Sequence, residues 1–123
     1  MNLKEIFKHY GIGIMATANS AGSVNTAVYA RPHVIDDQTL VWGMTDKRTF
    51  RNIAENPHAS YLFREAGSGF RGVRIELELI RTEDDGEMLA AIQKNTSEIV
   101  GPGAGQDVTH AVWFKIVEIR ALI

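Results

Sequence analysis

Leu40-Val41-Trp42-Gly43-Met44-Thr45-Asp46-Lys47-Arg48-Thr49-Phe50-Arg51-Asn52-Ile53-Ala54-Glu55-Asn56-Pro57 holds the decisive change of period in this chain. Leu40 to Thr45 reads as a β-strand. Asp46 then stands where a helix N-cap belongs, and Phe50, Ile53 and Ala54 recur at helical spacing until Asn56-Pro57 stops them. The first turn of this helix is unusual. A helix N-terminus carries partial positive charge and unpaired N–H groups, so acidic residues belong there. Here Lys47 and Arg48 occupy it instead, with Arg51 one turn later. Lys47 and Arg51 form a like-charge i,i+4 pair, which disfavours the helix slightly. Cations on the positive pole make sense where an anion binds. Backbone N–H groups, the Thr49 hydroxyl and an Arg fork are the parts of a phosphate cradle. The plainer alternative is a basic turn whose charges face water.

Upstream, Leu3, Ile6, Phe7 and Tyr10 recur at i, i+3, i+4 and i+7, which predicts a short helix over 3–9 ended by Gly11. Residues 12–18 read as a strand with Ile12, Ile14 and Ala16 on one face. Asn19-Ser20-Ala21-Gly22 is a turn, and Val24 to Arg31 is a second strand, so 12–31 forms a hairpin. Pro32 marks the end of that strand as an edge or bulge. Asp36-Asp37-Gln38 is another turn. Downstream, Ala59 to Phe63 is a fourth strand. Gly67-Ser68-Gly69 leads to a long fifth strand from Phe70 to Thr82, broken at Asp84-Asp85-Gly86. Met88, Leu89 and Ile92 predict a second amphipathic helix before Gly101-Pro102-Gly103-Ala104-Gly105. Ala111 to Ile123 is a sixth strand. There is no internal repeat or linker. Residues 1–123 therefore read as one mainly β domain: a small, mostly antiparallel six-stranded barrel with short helices.

Composition excludes several chemistries. The chain has 123 residues and no cysteine, so thiol nucleophiles, iron–sulfur clusters and cysteine zinc sites are excluded. Thirteen Lys+Arg against 15 Asp+Glu give a net charge of −2, which argues against a general nucleic-acid footprint. No segment approaches the roughly 18 consecutive apolar residues of a membrane span. The N-terminal stretch is too polar for a signal-peptide core, so a soluble, cytoplasmic protein is expected.

The remaining motifs are weaker. Gly67-Ser68-Gly69-Phe70-Arg71-Gly72 matches G-x-G-x-x-G, but its glycines precede a strand rather than open a helix, so no dinucleotide fold is implied. A flexible turn with Gly72 as a bulge is the better reading. His9, His33, His58 and His110 form no recognised ligand spacing. No nucleophile elbow is present. Arg74, Glu76 and Glu78 should face solvent or pair across strands. Trp42, Trp113 and Phe114 could wall a flat ring, but core packing is their commoner fate. Asn25-Thr26 are two polar residues in an otherwise apolar strand, and alone they read as an exposed face.

Taken in order, the hairpin at 12–31, the strand Leu40 to Thr45, the basic helix start Lys47-Arg48-Thr49, Asn52 and the stop at Asn56-Pro57 resemble the FMN-binding split barrel of the pyridoxamine 5'-phosphate oxidase superfamily. Within it the chain is most similar to the small bacterial FMN-binding proteins, with Val24-Asn25-Thr26-Ala27 and Gly67-Ser68-Gly69-Phe70 also fitting. The resemblance covers nearly the whole chain. It implies a homodimer with FMN in the cleft between subunits. Arg48 and Thr49, with Lys47, would hold the phosphate. Asn25, Thr26, Ala27 and Val28 would run beside the flavin, and Met44 and Thr45 would border the ribityl chain. Asn52 stands where the small members also carry Asn. True pyridoxamine phosphate oxidases are much longer and carry a C-terminal Arg/His segment that Arg120 alone does not rebuild, so vitamin oxidation is not expected. The apolar end Ala121-Leu122-Ile123 is expected to pack against a partner subunit.

The implied function is redox work by a bound flavin, as an electron carrier or a flavin reductase-like oxidoreductase using a small-molecule or protein electron partner. No side chain stands out as a general acid or base. The alternatives are a flavin sensor or storage protein, a binder of deazaflavin or haem in the same cleft, and a single-stranded nucleic-acid binder. The acidic balance counts against the last.

Overall fold

Inward residues Gly13, Met15 and Thr17 alternate with outward Ile12, Ile14 and Ala16 along the first long strand, and this alternation sets the frame of the molecule. The structure is a computed structural model that describes residues 2–123. Its elements are α1 (Leu3–Ile6), β1 (Gly11–Ala18), β2 (Val24–Val28), β3 (His33–Val34), β4 (Thr39–Met44), α2 (Arg48–Glu55), β5 (His58–Glu65), β6 (Gly72–Glu83), α3 (Glu87–Val100) and β7 (His110–Ala121). The strands form one antiparallel sheet in the order β2-β1-β5-β6-β7-β4-β3. The sheet curls around a core that includes Met15, Leu40, Tyr61, Phe63, Ile75 and Phe114. Its two end strands, β2 and β3, do not pair with each other. This is a split barrel.

The gap is closed by side chains. Between β2 and β3 the Tyr29 N–H still donates to the Gly13 carbonyl of β1 at 2.9 Å, and residues 30–32 then pass outside the ladder. The Tyr29 and Ala30 carbonyls accept from the Tyr61 hydroxyl at 3.2 and 3.0 Å, and Ala30 also accepts from the Trp42 indole N–H at 2.8 Å. The two rings touch at 4.7 Å between centroids. Burial pushes the Tyr61 phenol well above its ordinary pKa, so it stays a neutral donor. Gly13 makes room for it: a Cβ there would collide with the Tyr61 hydroxyl.

Several expectations are corrected. There are seven strands rather than six, because His33–Val34 pairs with Val41 and Leu40 over only two residues, too few to show a period. The strand from Val24 ends at Val28, not Arg31, because the Tyr29 and Ala30 carbonyls turn to side chains. The first helix ends at Ile6, and Arg31 takes the Phe7 and His9 carbonyls at 3.0 Å. Asp46 is not the cap of α2. Lys47 is, with no side-chain cap bond, while the Asp46 carboxylate lies 3.7 Å from Arg51 Nε. The register slips between Glu76 and Leu77 and between Leu79 and Arg81, not at Gly72. α3, by contrast, ends at Val100, directly before the Gly101 loop as expected. The last strand stops at Ala121, which pairs with Val73 of the same chain. Leu122 is buried by its own chain, and Ile123 alone of the three is an exposed large apolar residue.

Other readings hold. Trp42 and Phe114 join the main core, and Trp113 packs with Leu89 and Ile92 beneath α3. Glu76 pairs across strands with Arg120 at 3.3 Å. The glycine segment 67–69 is the β5–β6 turn, clipped by Arg64 to the Gly69 and Gly67 carbonyls.

Tyr61→Phe removes the donor to two part-buried carbonyls and should lower stability by about 1 kcal/mol. Urea unfolding measures this, and an unchanged midpoint would mean that water satisfies the same carbonyls. Gly13→Ala should cost at least as much, because it forces the Tyr61 ring from its seat.

Candidate functional site

α2 lies across the β1–β2 edge of the barrel. Its Thr49, Asn52 and Ile53 point inward and its first-turn cations point out. The inward row of β2 is Asn25, Ala27 and, just beyond the strand, Tyr29. Asn25 pairs with Thr17, and Ala27 with Met15. Between helix and hairpin lies a recess of about 360 Å³ lined by Asn19, Ser23, Val24, Asn25, Arg48 and Asn52. Apart from Val24, every lining side chain is polar.

The recess is electrostatically positive. Among the described residues, Arg48 and Lys47 form no ion pair, whereas Arg51 is held by Asp46. The first turn of α2 holds no acid and no side chain caps it, so its N–H groups stay available to an anion. The helix is tied to the hairpin by polar bonds. The Asn52 amide donates to the Thr17 hydroxyl at 3.1 Å, with both residues buried. Farther along, the Ser20 hydroxyl and N–H donate to Glu55 Oε1 at 2.7 and 3.2 Å. These bonds hold the Glu55 carboxylate below its ordinary pKa.

Of the ten residues singled out in the sequence, Asn25, Arg48 and Asn52 meet in the recess, and Lys47 stands at its helix end. Thr49 is buried beneath the helix, against the Tyr29 hydroxyl. Met44 is in the core, and Thr45 is half-buried at the end of its strand. Ala27 faces inward between Asn25 and Tyr29, while Thr26 and Val28 lie on the opposite, outer face of β2. Sequence reasoning missed Asn19, Ser23 and Thr17. The first two belong to a hairpin turn, and only the crossing of α2 over that hairpin brings them to the site.

The outer face is of different character. Val28, Ile14 and Leu62 form one cross-strand row, and Thr26, Ala16 and Ser60 the next. Val24 and Val28 are 72% and 69% exposed. Toward β6 and β7 the same rows turn charged, through Arg74 and Arg120 and through Glu76 and Glu118. An exposed apolar row flanked by a mixed row and a charged rim has the make-up of an interaction face. Elsewhere, His33 lines a crevice of about 70 Å³, and burial lowers its pKa. His110 stacks on Phe50 with ring centroids 3.7 Å apart. No group of three or more His, Asp or Glu able to hold a metal occurs among the described residues, and no helix there is long and apolar enough to cross a membrane.

The chain belongs to the pyridoxamine 5'-phosphate oxidase family, whose sequence profile matches residues 2–122. No curated protein matches it in sequence. Among solved structures it is similar to an FMN-binding protein of Syntrophomonas wolfei, with a TM-score of 0.82 at 21% identity, covering 98% of this chain and 84% of that one. It is also similar to the haem storage protein HutZ of Vibrio cholerae, with a TM-score of 0.70 at 17% identity over 97% and 91% of the two chains. An F420 reductase matches at a TM-score of 0.70 and 18% identity, over 95% and 94%. At these identities the likeness establishes the fold.

Because Glu55 ionises more readily in the folded chain, it stabilises the fold above the ordinary carboxylate range. That contribution is lost as pH falls through the lowered pKa. Glu55→Gln should therefore make Tm fall less steeply on acidification than in the parent chain. Parallel Tm–pH curves would show that the Ser20–Glu55 tie contributes nothing.

Proposed function

We propose that this member of the pyridoxamine 5'-phosphate oxidase family is an FMN-binding flavoprotein with a redox role, working as a dimer. The observation that carries the reading is Arg48: a cation without an acidic partner among the described residues, over a polar recess, at a helix start that has neither acid nor side-chain cap. Those groups fit a phosphomonoester. Arg48 and the first-turn N–H groups of α2 would hold the phosphate, with Lys47 adding charge from outside. Thr49 would contribute through its N–H, since its side chain is buried.

The recess is too polar to house a flat tricyclic ring. Apolar surface adjoins it at Val24, and beyond the Thr26-Ala16-Ser60 row the outer face carries the apolar row Val28-Ile14-Leu62. A second copy packed on that face would give the ring an apolar slot and keep water from it. This is the basis for placing the flavin between subunits. Bound FMN supplies the electron-transfer chemistry. The recess holds no carboxylate, imidazole or thiol, which favours a carrier or a flavin reductase-like oxidoreductase over chemistry by a side-chain acid or base. The crevice beside His33 is about 70 Å³, far below the roughly 300–1,000 Å³ of ligand pockets, and this favours FMN over haem at a buried histidine.

The purified protein should be yellow and should release FMN on denaturation. Arg48→Ala should weaken FMN binding about ten- to hundredfold, the size of a hydrogen bond to a charged group, without changing the circular dichroism. A colourless protein that takes up no FMN, or one that carries haem, would sink the proposal. Rapid-mixing reduction by NADH or NADPH then separates reductase from carrier. Val28→Asp should convert a two-chain species in light scattering to one chain, and a parent protein that is already monomeric would remove the interface.

A further inference from the structure

We propose that Thr17, which lies outside the recess lining, is a positioning residue that sets the span of the anion site through Asn52. The inference rests on the phosphate reading of the recess. Thr17 sits on the inward face of β1, 3% exposed, directly across from Asn25 in the β1–β2 register. Its hydroxyl accepts the Asn52 amide at 3.1 Å, and Asn52 is itself 5% exposed. The Asn52–Thr17 side-chain bond and the Thr17–Asn25 strand pairing therefore join the two walls of the recess. Asn25 belongs to the hairpin wall, and Asn52 to the helix wall that carries Arg48 one turn earlier.

Of the bonds that tie α2 to the hairpin, this one is buried, while the Ser20–Glu55 tie is exposed. A buried amide donor must keep its acceptor, because no water replaces it there. The helix is thus fixed to β1 at the residue that also faces the recess. Binding groups held by locked supporting contacts lose less entropy when the ligand arrives. The effect belongs to the phosphate end alone: the Thr17–Asn52 bond sets where Arg48 and the α2 N–H groups stand relative to Asn25, not the apolar outer face.

The test compares FMN with riboflavin, which lacks the phosphate, in parent, Thr17→Val and Thr17→Ser chains. Thr17→Val keeps the shape and removes the acceptor. It should weaken FMN about tenfold, the order of one net hydrogen bond, and leave riboflavin affinity unchanged. Thr17→Ser keeps the hydroxyl and should restore FMN binding. Equal loss of both ligands in Thr17→Val would mark a merely structural residue and overturn the proposal, as would unchanged FMN affinity. Inorganic phosphate, followed by the amide shifts of residues 48–50 in NMR, separates this proposal from the FMN reading. If the parent binds no flavin but phosphate moves those amides, and Thr17→Val abolishes the shift, the positioning role stands and the FMN reading falls. If phosphate moves nothing in the parent, the positioning role falls.

Discussion

The split in the barrel is the constraint on which the rest of the molecule depends. A seven-stranded sheet whose end strands do not pair must satisfy the backbone where it crosses the gap. The Tyr29 and Ala30 carbonyls do so from inside, through the Tyr61 hydroxyl and the Trp42 indole. Each donor comes from a different strand, β5 and β4, which β6 and β7 separate in the sheet. The crossing is thus drawn onto the barrel without completing the ladder. Gly13 is part of the same solution, since any side chain there would displace the phenol.

That crossing fixes β2, and β2 is one wall of the candidate site. Because residue 29 is held inward, the alternation places Ala27 and Asn25 inward as well, and Val28, Thr26 and Val24 outward. One short strand thereby supplies both a polar recess and an apolar face. Neither α2 nor the hairpin could form the recess alone. The helix contributes charge and free N–H groups, and the hairpin contributes amide and hydroxyl side chains.

The sequence made the fold legible where its period was strong. The strand at 40–45 followed by a helix closed by Asn56-Pro57, the hairpin and the long strand into Thr82 all appear within a few residues of their expected bounds. His33–Val34 was not legible, because a two-residue strand has no period and exists only through its pairing with β4. The capping of α2 was misread for a physical reason. Asp46 is a good cap residue by type, but its carboxylate lies beside Arg51, and the helix begins uncapped at Lys47. At the site, Arg48 was legible from its charge at a helix start, whereas Asn25 read by polarity alone as an exposed face, and it and Asn52 were singled out only through the family resemblance. Thr17 was not, since a Thr in a strand carries no signal until its partner is known to lie 35 residues away.

The two faces of β2 also explain why residues singled out on one short stretch separate in space. Thr26 and Val28 cannot enter the recess that holds Asn25, because a period of two sends them through the sheet to its other side. A single ligand that used both sets would have to pass around the free edge of β2. That edge is open, since β2 pairs only with β1. The proposed phosphate-bearing flavin, with an anionic end and a flat apolar end, would do so with its phosphate against α2 and its ring on the outer face. On that face one chain provides a floor and no roof. On the proposed reading, the polarity of the recess, the open edge and the uncovered Val28-Ile14-Leu62 row would be one arrangement, half of a binding site, with the edge of β2 as the boundary between its charged and its apolar parts.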